Sequence, residues 1–416
     1  MITMNGTKSI PISEEMVKAA WVKVKSNKGT AGVDKRSIKD FDMNVEGNLY
    51  KIYNRLSSGS YFPPAVREVE IPKKGGKLRK LGIPTVGDRI AQMVIKNYVE
   101  PRLEAVFHGS SFGYRPGKSA HQALEQARLN CWNYDWVIDL DIRSFFDEID
   151  HELLRKALKK HVTENWVLLY VDRWLTAPTE QKDGILKERT SGTPQGGVIS
   201  PFLANLMLHY SFDMWMDKFH TEVPFERYAD DMIVHCRTQQ EAENLLDQIT
   251  ERLKQCKLQL HPEKTKIVYC KDSNRNKREQ ENIQFDFLGY SFMPRASKNR
   301  YGKLFSSFSP AISNQAVKRI NDEIKGSNLR SMVLVTLEVI AARLNPKIRG
   351  WIGYYGRFTK PKLLRNFKVL NRRLIQWARD KYKRIHRSIY KSVDWLKREC
   401  EIKPKLFSHW EHGFKP

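Results

Sequence analysis

Phe225-Glu226-Arg227-Tyr228-Ala229-Asp230-Asp231-Met232-Ile233-Val234-His235-Cys236-Arg237-Thr238 sets two adjacent carboxylates between two short apolar-rich runs. The pattern predicts strand, tight turn, strand, with Asp230 and Asp231 at the tip. Adjacent carboxylates repel, so a pair held together usually faces a cation. An Asp-Asp turn is also common in ordinary surface hairpins, and so short a motif does not choose between the two. The chain on either side does.

Upstream, Trp136-Val137-Ile138-Asp139-Leu140-Asp141-Ile142 is strand-like, and alternation puts Asp139 and Asp141 on one face. Arg143 to His151 then turns the chain into a helix. Asp139 reads as a turn or capping acid. A carboxylate at the end of this strand can join Asp230 and Asp231 around metal. Three acids from separate strands, with no His or Cys among them, suit Mg²⁺ rather than zinc. Two Mg²⁺ ions can activate a 3′-hydroxyl, clamp a transferring phosphoryl group and stabilise a leaving pyrophosphate. Between the acids, Thr190-Ser191-Gly192-Thr193-Pro194-Gln195-Gly196-Gly197 precedes an apolar helix from about Ser200 to Lys218. Its glycines let backbone approach something flat, such as a base pair; a plain helix-entry loop fits as well.

Further out, Glu14 to Lys25 is expected to be helical, capped by Ser13. Asn27 to Asp34 is a glycine loop without the Gly-Lys-Ser/Thr ending of a phosphate-binding P-loop. Val66 to Pro72 and Leu78 to Pro84 predict two strands joined by the basic turn Lys73 to Lys77. Such a hairpin can grip a triphosphate or can be a solvated basic turn. Asp88 is expected to cap a helix with Ile90, Met93, Val94 and Tyr98 on one face. Ser111 to Ser119 interleaves aromatic and basic residues, as a loop that stacks a base and holds a phosphate would. A helix from about Ala120 to Cys131 follows.

Downstream, Gln239 to Cys256 predicts an amphipathic helix with Leu245, Leu246, Ile249 and Leu253 inward. Residues 271–282 form a polar loop. Helices are expected near Gln315–Lys325 and Ser331–Leu344, with new ones starting at Asn345-Pro346 and at Pro361. Residues 341–416 hold 21 Lys and Arg against 5 Asp and Glu, with twelve aromatics among them. A basic surface with aromatics for stacking suits structured RNA or a template duplex.

A chain of 416 residues with a formal charge of +25 suits two or three domains and a polyanionic partner. Nucleic acid is the first reading and an anionic membrane surface the second. No apolar run approaches spanning length; the nearest, Met332 to Ala342, is broken by Glu338. The N-terminus lacks an apolar signal core, which predicts a cytoplasmic or nucleoid-associated protein without a membrane partner. Five scattered cysteines with no Cys-x-x-Cys pair argue against disulfides and zinc, and for buried thiols.

Asp141-Ile142-Arg143-Ser144-Phe145-Phe146-Asp147, the Thr-Pro-Gln-Gly-Gly loop and Tyr-Ala-Asp-Asp stand in the order of reverse transcriptase motifs. More narrowly, the chain resembles group II intron-encoded reverse transcriptase/maturases. Pro72-Lys73 with Arg79 to Pro84 resembles their first finger block, and Ser111 to Gly117 the second. Leu258 to Thr265 resembles the palm segment after the catalytic hairpin, Phe285 to Tyr290 the primer-grip region, and Arg349-Gly350-Trp351-Ile352-Gly353-Tyr354-Tyr355 the thumb, also called the X or maturase domain. The seven blocks ahead of the thumb, all in one order, make a chance match very improbable.

The resemblance implies an α+β right-hand polymerase, with fingers and palm over 1–295, then an all-helical thumb over 296–395 and a short basic tail over 396–416. It implies that Asp141, Asp230 and Asp231 are catalytic and bind two Mg²⁺ ions. Lys73 and Arg79 would hold the incoming triphosphate, Phe146 would exclude a 2′-hydroxyl, Gln195 would line the nascent base pair, and Lys264 would protonate the pyrophosphate. Arg115, Lys118, Arg349 and Arg357 are the RNA-binding candidates. The implied activity is RNA-directed DNA polymerisation, with intron RNA binding, splicing and retrohoming. The partners would be group II intron RNA, an RNA template with a DNA primer, and target DNA. Longer members add a His-Asn-His endonuclease; only a few dozen residues follow the thumb here, so second-strand cleavage is not expected. Rival readings are a free-standing polymerase in host repair or phage defence, an RNA-binding splicing factor with an idle polymerase, and a basic nucleic-acid-binding protein without catalysis.

Overall fold

The computed structural model describes residues 10–72, 78–275 and 282–416. The first stretch holds α1 (Glu14–Ser26), α2 (Ile38–Asp42), α3 (Val45–Ser57) and β1 (Val66–Pro72). Next come β2 (Leu78–Ile83), α4 (Val86–Glu104), α5 (Ala120–Asn133), β3 (Trp136–Asp141), α6 (Phe145–Glu148), α7 (His151–Lys159), α8 (Asn165–Thr176), β4 (Thr179–Glu180) and β5 (Leu186–Lys187). α9 (Ser200–Leu208) runs through a π-turn (His209–Asp213) into α10 (Met214–Phe219), followed by β6 (Phe225–Tyr228), β7 (Asp231–Cys236), α11 (Gln239–Gln255) and β8 (Lys266–Tyr269). The last stretch holds β9 (Phe285–Phe287), β10 (Tyr290–Lys298), β11 (Leu304–Ile312), α12 (Asn314–Gly326), α13 (Leu337–Tyr355), α14 (Leu364–Lys381), α15 (Lys383–His386), α16 (Ile389–Ile402) and α17 (Ser408–Glu411).

The described residues form two compact units. One takes the chain through Ser119, then Ile138–Val234 and Gln240–Lys266; the other takes Ala120–Val137, His235–Gln239 and the chain from Ile267 onward.

In the first unit α1 carries Val17, Ala20, Trp21 and Val24 on one buried stripe, the spacing that drives an amphipathic helix onto a neighbour. Ser13 caps it, its hydroxyl accepting from the Met16 amide at 3.3 Å. β1 and β2 pair antiparallel from Arg67–Ile83 to Pro72–Leu78, and β4 joins β1 in parallel. The sheet order is β2-β1-β4-β5. A second sheet has the order β6-β7-β3-β8, and the boundary between the units cuts β3, β7 and β8. α9 is buried along nearly its whole length, which its continuous apolar sequence demands. The apolar helix predicted as one piece thus winds through a π-turn at His209–Asp213, a feature often found beside functional sites.

In the second unit β10 and β11 form a long hairpin, paired from Tyr290–Ile312 to Lys298–Leu304, with β9 on the far side of β10. Phe285 stacks on Phe292 with ring centroids 4.8 Å apart. α13 departs from expectation. It is one helix across Asn345-Pro346 rather than two. Leu337, Ile340, Ala341, Leu344, Ile348, Ile352 and Tyr355 keep a single buried stripe through the proline, and that packing outweighs the missing amide. The chain end is also packed: Phe407, His409, Trp410 and Phe414 are buried, and the His409 ring stacks on Phe367 with centroids 5.1 Å apart.

The cap of α4 is Thr85, not Asp88. Thr85 is the last extended residue, and its hydroxyl accepts from the Asp88 amide at 3.2 Å. The Asp88 side chain points into the core instead.

Candidate active site

The Asp230-Asp231 turn is held from below. Tyr228 pairs with Asp231 across a two-residue turn, and Ala229 takes the left-handed conformation, φ 57°, as such tight hairpins require. The loop at Ser111 runs alongside β6, its neighbours bonding Phe112 N–H to Arg227 O at 2.8 Å and Arg227 N–H to Ser110 O at 2.9 Å. A Cβ on Gly113 would lie 2.4 Å from the Ala229 nitrogen, so only glycine lets the two backbones meet. Beneath them Arg227 is fully buried. Its guanidinium donates to both Asp213 carboxylate oxygens at 2.7 and 2.5 Å, to Asn205 Oδ1 at 2.9 Å and to Ala229 O at 3.3 Å. Asn205 in turn donates to Gly113 O at 2.6 Å. A bidentate buried pair of this kind fixes geometry as well as charge. Only the Asp-Asp doublet was singled out from sequence. The residue two before the turn, its acid in the π-turn and the glycine of the aromatic loop carried no local signal of this network.

Asp141 ends β3, next to β7 in the sheet. The segment after α11 wraps it: His261 N–H donates to Asp141 O at 2.7 Å, and Lys264 Nζ lies 2.8 and 2.9 Å from its two carboxylate oxygens. Asp139, on the same face, has its own cation in Lys266 at 3.8 Å. Near the turn, burial first and then the Asp230 carboxylate push the Tyr114 phenol up. Among the described residues no three His, Cys, Asp or Glu side chains are drawn together as a metal-ligand group. The donor set nonetheless fits a hard divalent cation: all carboxylates, on neighbouring strands, one already facing an ammonium.

The Gly192–Gly197 loop sits against α6. Thr193 N–H donates to Phe146 O at 2.7 Å and Gly192 N–H to Ile149 O at 2.8 Å. The Gly192 φ of 76° is a glycine conformation, and the buried His151 ring donates to Gly192 O at 2.7 Å. Gln195 comes beside Arg79, another triphosphate-site candidate, and Asp147. Its Oε1 accepts from Arg79 at 2.6 Å and its Nε2 faces Asp147 at 3.4 Å. Phe146 is buried, edge-on to Phe145. A cavity of about 290 Å³ lies along this loop, lined among others by Lys80, Asp147, Arg189 and Gln195. Burial pushes the Asp147 carboxyl up, against the pull of Gln195 and Arg189.

Asp88 anchors the loop from within. It accepts from the Trp174 indole at 2.7 Å, the Tyr61 hydroxyl at 3.0 Å and Gln92 at 2.9 Å. Gln92 then accepts from the amides of Val198 and Ile199 at 2.8 and 3.2 Å. Complete burial raises the Asp88 carboxyl to about 6 despite these donors.

Arg115, expected to bind RNA, turns inward. Its side chain is 5% exposed and paired with Glu104 at 2.6 Å, and it donates to His108 O and Ser111 O at 2.6 and 2.7 Å. Its donors are spent inside the fold. Lys118 donates to Gly109 O at 3.0 Å over the Phe112 ring. Lys73 lies outside the described residues. Arg349 and Arg357 are exposed, in the second unit.

Residues 71–292 match the family described as reverse transcriptase (RNA-dependent DNA polymerase), and residues 317–395 match the group II intron maturase-specific domain. The chain is 31% identical over 320 residues to protein YkfC of Escherichia coli K12, covering 67% of this chain and 80% of that one. It is 33% identical over 240 residues to the group II intron-encoded protein LtrA of Lactococcus lactis, covering 56% of this chain and 38% of that one. A 91 kDa protein in the cob intron of Schizosaccharomyces pombe is 30% identical over 231 residues, 54% of this chain and 28% of that one.

Proposed function

Because the chain belongs to the reverse transcriptases, and among them to the group II intron type with its maturase-specific domain, we propose that it copies RNA into DNA from a primer 3′-end, binds its parent intron, promotes its splicing and reverse-transcribes it during retrohoming. The observation that carries the reading is the acidic turn locked on a buried Arg227–Asp213 pair, on a strand beside the one that ends in Asp141.

Asp141, Asp230 and Asp231 would hold two Mg²⁺ ions, which lower the pKa of the attacking hydroxyl and neutralise the phosphates when bound. The protein's own groups do the rest. Arg79 offers its guanidinium to the triphosphate while Gln195 fixes its orientation. Thr193 holds the Phe146 carbonyl by a backbone bond, and Gly192 that of Ile149 at the end of the same turn, so the Phe146 ring can press on the sugar and leave no room for a 2′-hydroxyl. Lys264, released from Asp141, supplies a proton to the departing pyrophosphate. Its proposed partners are primer and target DNA, and its proposed location is the cytoplasm or nucleoid.

Extension of a DNA primer on an RNA template in Mg²⁺ tests the reading. Asp230→Ala should abolish extension, by 10³-fold or more on the order expected when transition-state charge stabilisation is lost, while RNA binding persists. Extension surviving in that variant would reject the assignment of the turn.

A further inference from the structure

A cavity of about 820 Å³ opens between α5, the β10–β11 hairpin and the segment from Arg357 to Lys362, all within the second unit. Apart from Arg357, already an RNA-binding candidate, it is built of residues the polymerase reading does not use. Four cationic side chains line it, Arg128, Arg295, Arg357 and Lys362, against one carboxylate, Glu125, which is bonded to Arg128. Among the described residues neither Arg357 nor Lys362 has a carboxylate partner.

Its walls are aromatic and hydroxylic. Trp132 and Phe305 are 42% and 41% exposed. The indole is fixed: its N–H donates to Phe308 O at 2.9 Å, and the Arg128 guanidinium sits 4.5 Å from its ring centroid. Arg295 is fixed too, donating to Ser309 O and Ser291 O, each at 3.0 Å. The hydroxyls of Ser307 and Ser309 lie 2.9 Å apart on the hairpin face.

A held aromatic plane, unpaired cations and hydroxyls together match one chemistry. An unpaired base stacks on an aromatic or guanidinium plane, its phosphate meets Arg or Lys, and its 2′-hydroxyl bonds a polar wall. An acidic peptide would use the cations and leave the indole idle. A duplex keeps its bases stacked internally and cannot reach it. The volume falls within the range of about 300–1,000 Å³ typical of ligand sites.

We propose that this cavity holds an unpaired RNA nucleotide, its base on Trp132 and its phosphate on Arg357 and Lys362. The proposal rests on the chain being an RNA binder; it does not need polymerase chemistry. The nucleotide can come from the single-stranded template or from a loop of a structured RNA.

The test uses the full chain and two RNAs carrying 4-thiouridine: a hairpin labelled in its loop, and a template–primer labelled in its single-stranded 5′ overhang. Photo-cross-links are mapped by peptide mass spectrometry, with primer extension measured on the same preparation. A cross-link at the Trp132 peptide from the loop assigns structured RNA, and one from the overhang assigns the template. Trp132→Leu should cut the yield about tenfold, as loss of one stacked base does, with extension intact, whereas Trp132→Phe should keep it. Arg357→Gln with Lys362→Gln should lower the yield at low salt, with the gap to wild type narrowing as salt rises. No cross-link at this peptide from either RNA, or equal yields from Trp132→Leu and wild type, overturns the proposal. Cross-linking without any extension by the wild-type protein would remove the polymerase reading and leave this site standing.

Discussion

Lys264 faces Asp141 with its ammonium 2.8 and 2.9 Å from both carboxylate oxygens, so one side chain is both a neutralising partner and the proton donor of the proposed reaction. The two roles predict opposite effects of Lys264→Met. Removing the partner frees the carboxylate, so the Mg²⁺ concentration for half-maximal extension should fall, by about two- to fivefold for a pair this exposed. Removing the proton donor should lower the extension rate at saturating Mg²⁺ by about 10²-fold. A Mg²⁺ titration of single-turnover extension reads both; an unchanged plateau rate ends the acid assignment. Phe146 is a different case, because its backbone is bonded to Thr193 whatever its side chain. Phe146→Ala should therefore raise ribonucleotide over deoxynucleotide incorporation by tenfold or more, measured by competing the two triphosphates; unchanged sugar choice rejects the gate. Sequence made these residues legible because motifs mark chemistry. It could not show that Arg115 turns inward, since that is decided by Glu104 and by carbonyls the loop folds over.

Elements were legible where periodicity was strong. α1, the β1–β2 hairpin, the acidic hairpin and α11 lie close to their expected bounds. α13 did not, because a proline is a local signal and the stripe from Leu337 to Tyr355 is a longer one. The start of α4 was misplaced for a related reason. Two polar residues, Thr85 and Asp88, both suit a cap, and only the core beneath decides that Asp88 serves Trp174, Tyr61 and Gln92 instead. That choice has a pH signature. Unfolded, Asp88 ionises near 3.8; folded, near 6. Between these values the folded state holds the extra proton, so the stability this group contributes falls as pH rises through the window and is constant above it. The difference is on the order of 3 kcal/mol for this fully buried acid. Asp88→Asn cannot ionise, so urea unfolding between pH 4.5 and 6.5 should show a stability loss in the wild type that the variant lacks. Parallel curves would mean that the three donors hold the carboxylate charged after all.

At the scale of the molecule the charge is the informative quantity. A net +25 would say little if its cations were spent on internal pairs. They are not: of the 21 Lys and Arg in residues 341–416, only Lys347 and Lys403 lie within ion-pair distance of a carboxylate among the described residues. The twelve aromatics there were harder to apportion from sequence, because core and stacking surface use the same residues. Trp377, Phe367, Phe407 and Trp410 are core, whereas Tyr390 is 81% exposed. α14 sorts the charges cleanly. Asn366, Phe367, Leu370, Leu374 and Trp377 are buried, while Arg365, Lys368 and Arg372 form an exposed stripe at helical spacing. A stripe of unpaired cations costs the fold repulsion and gives it no internal partner, so its benefit must come from outside. If that partner is RNA phosphate, replacing Arg365, Lys368 and Arg372 together with Gln should weaken binding to every RNA alike. It should also flatten the dependence of log affinity on log salt by about one for each phosphate contact removed. The melting temperature should hold or rise slightly, because repulsion is relieved and no ion pair is broken. An affinity loss with an unchanged salt slope would point away from phosphate contact and toward a change in the shape of the surface.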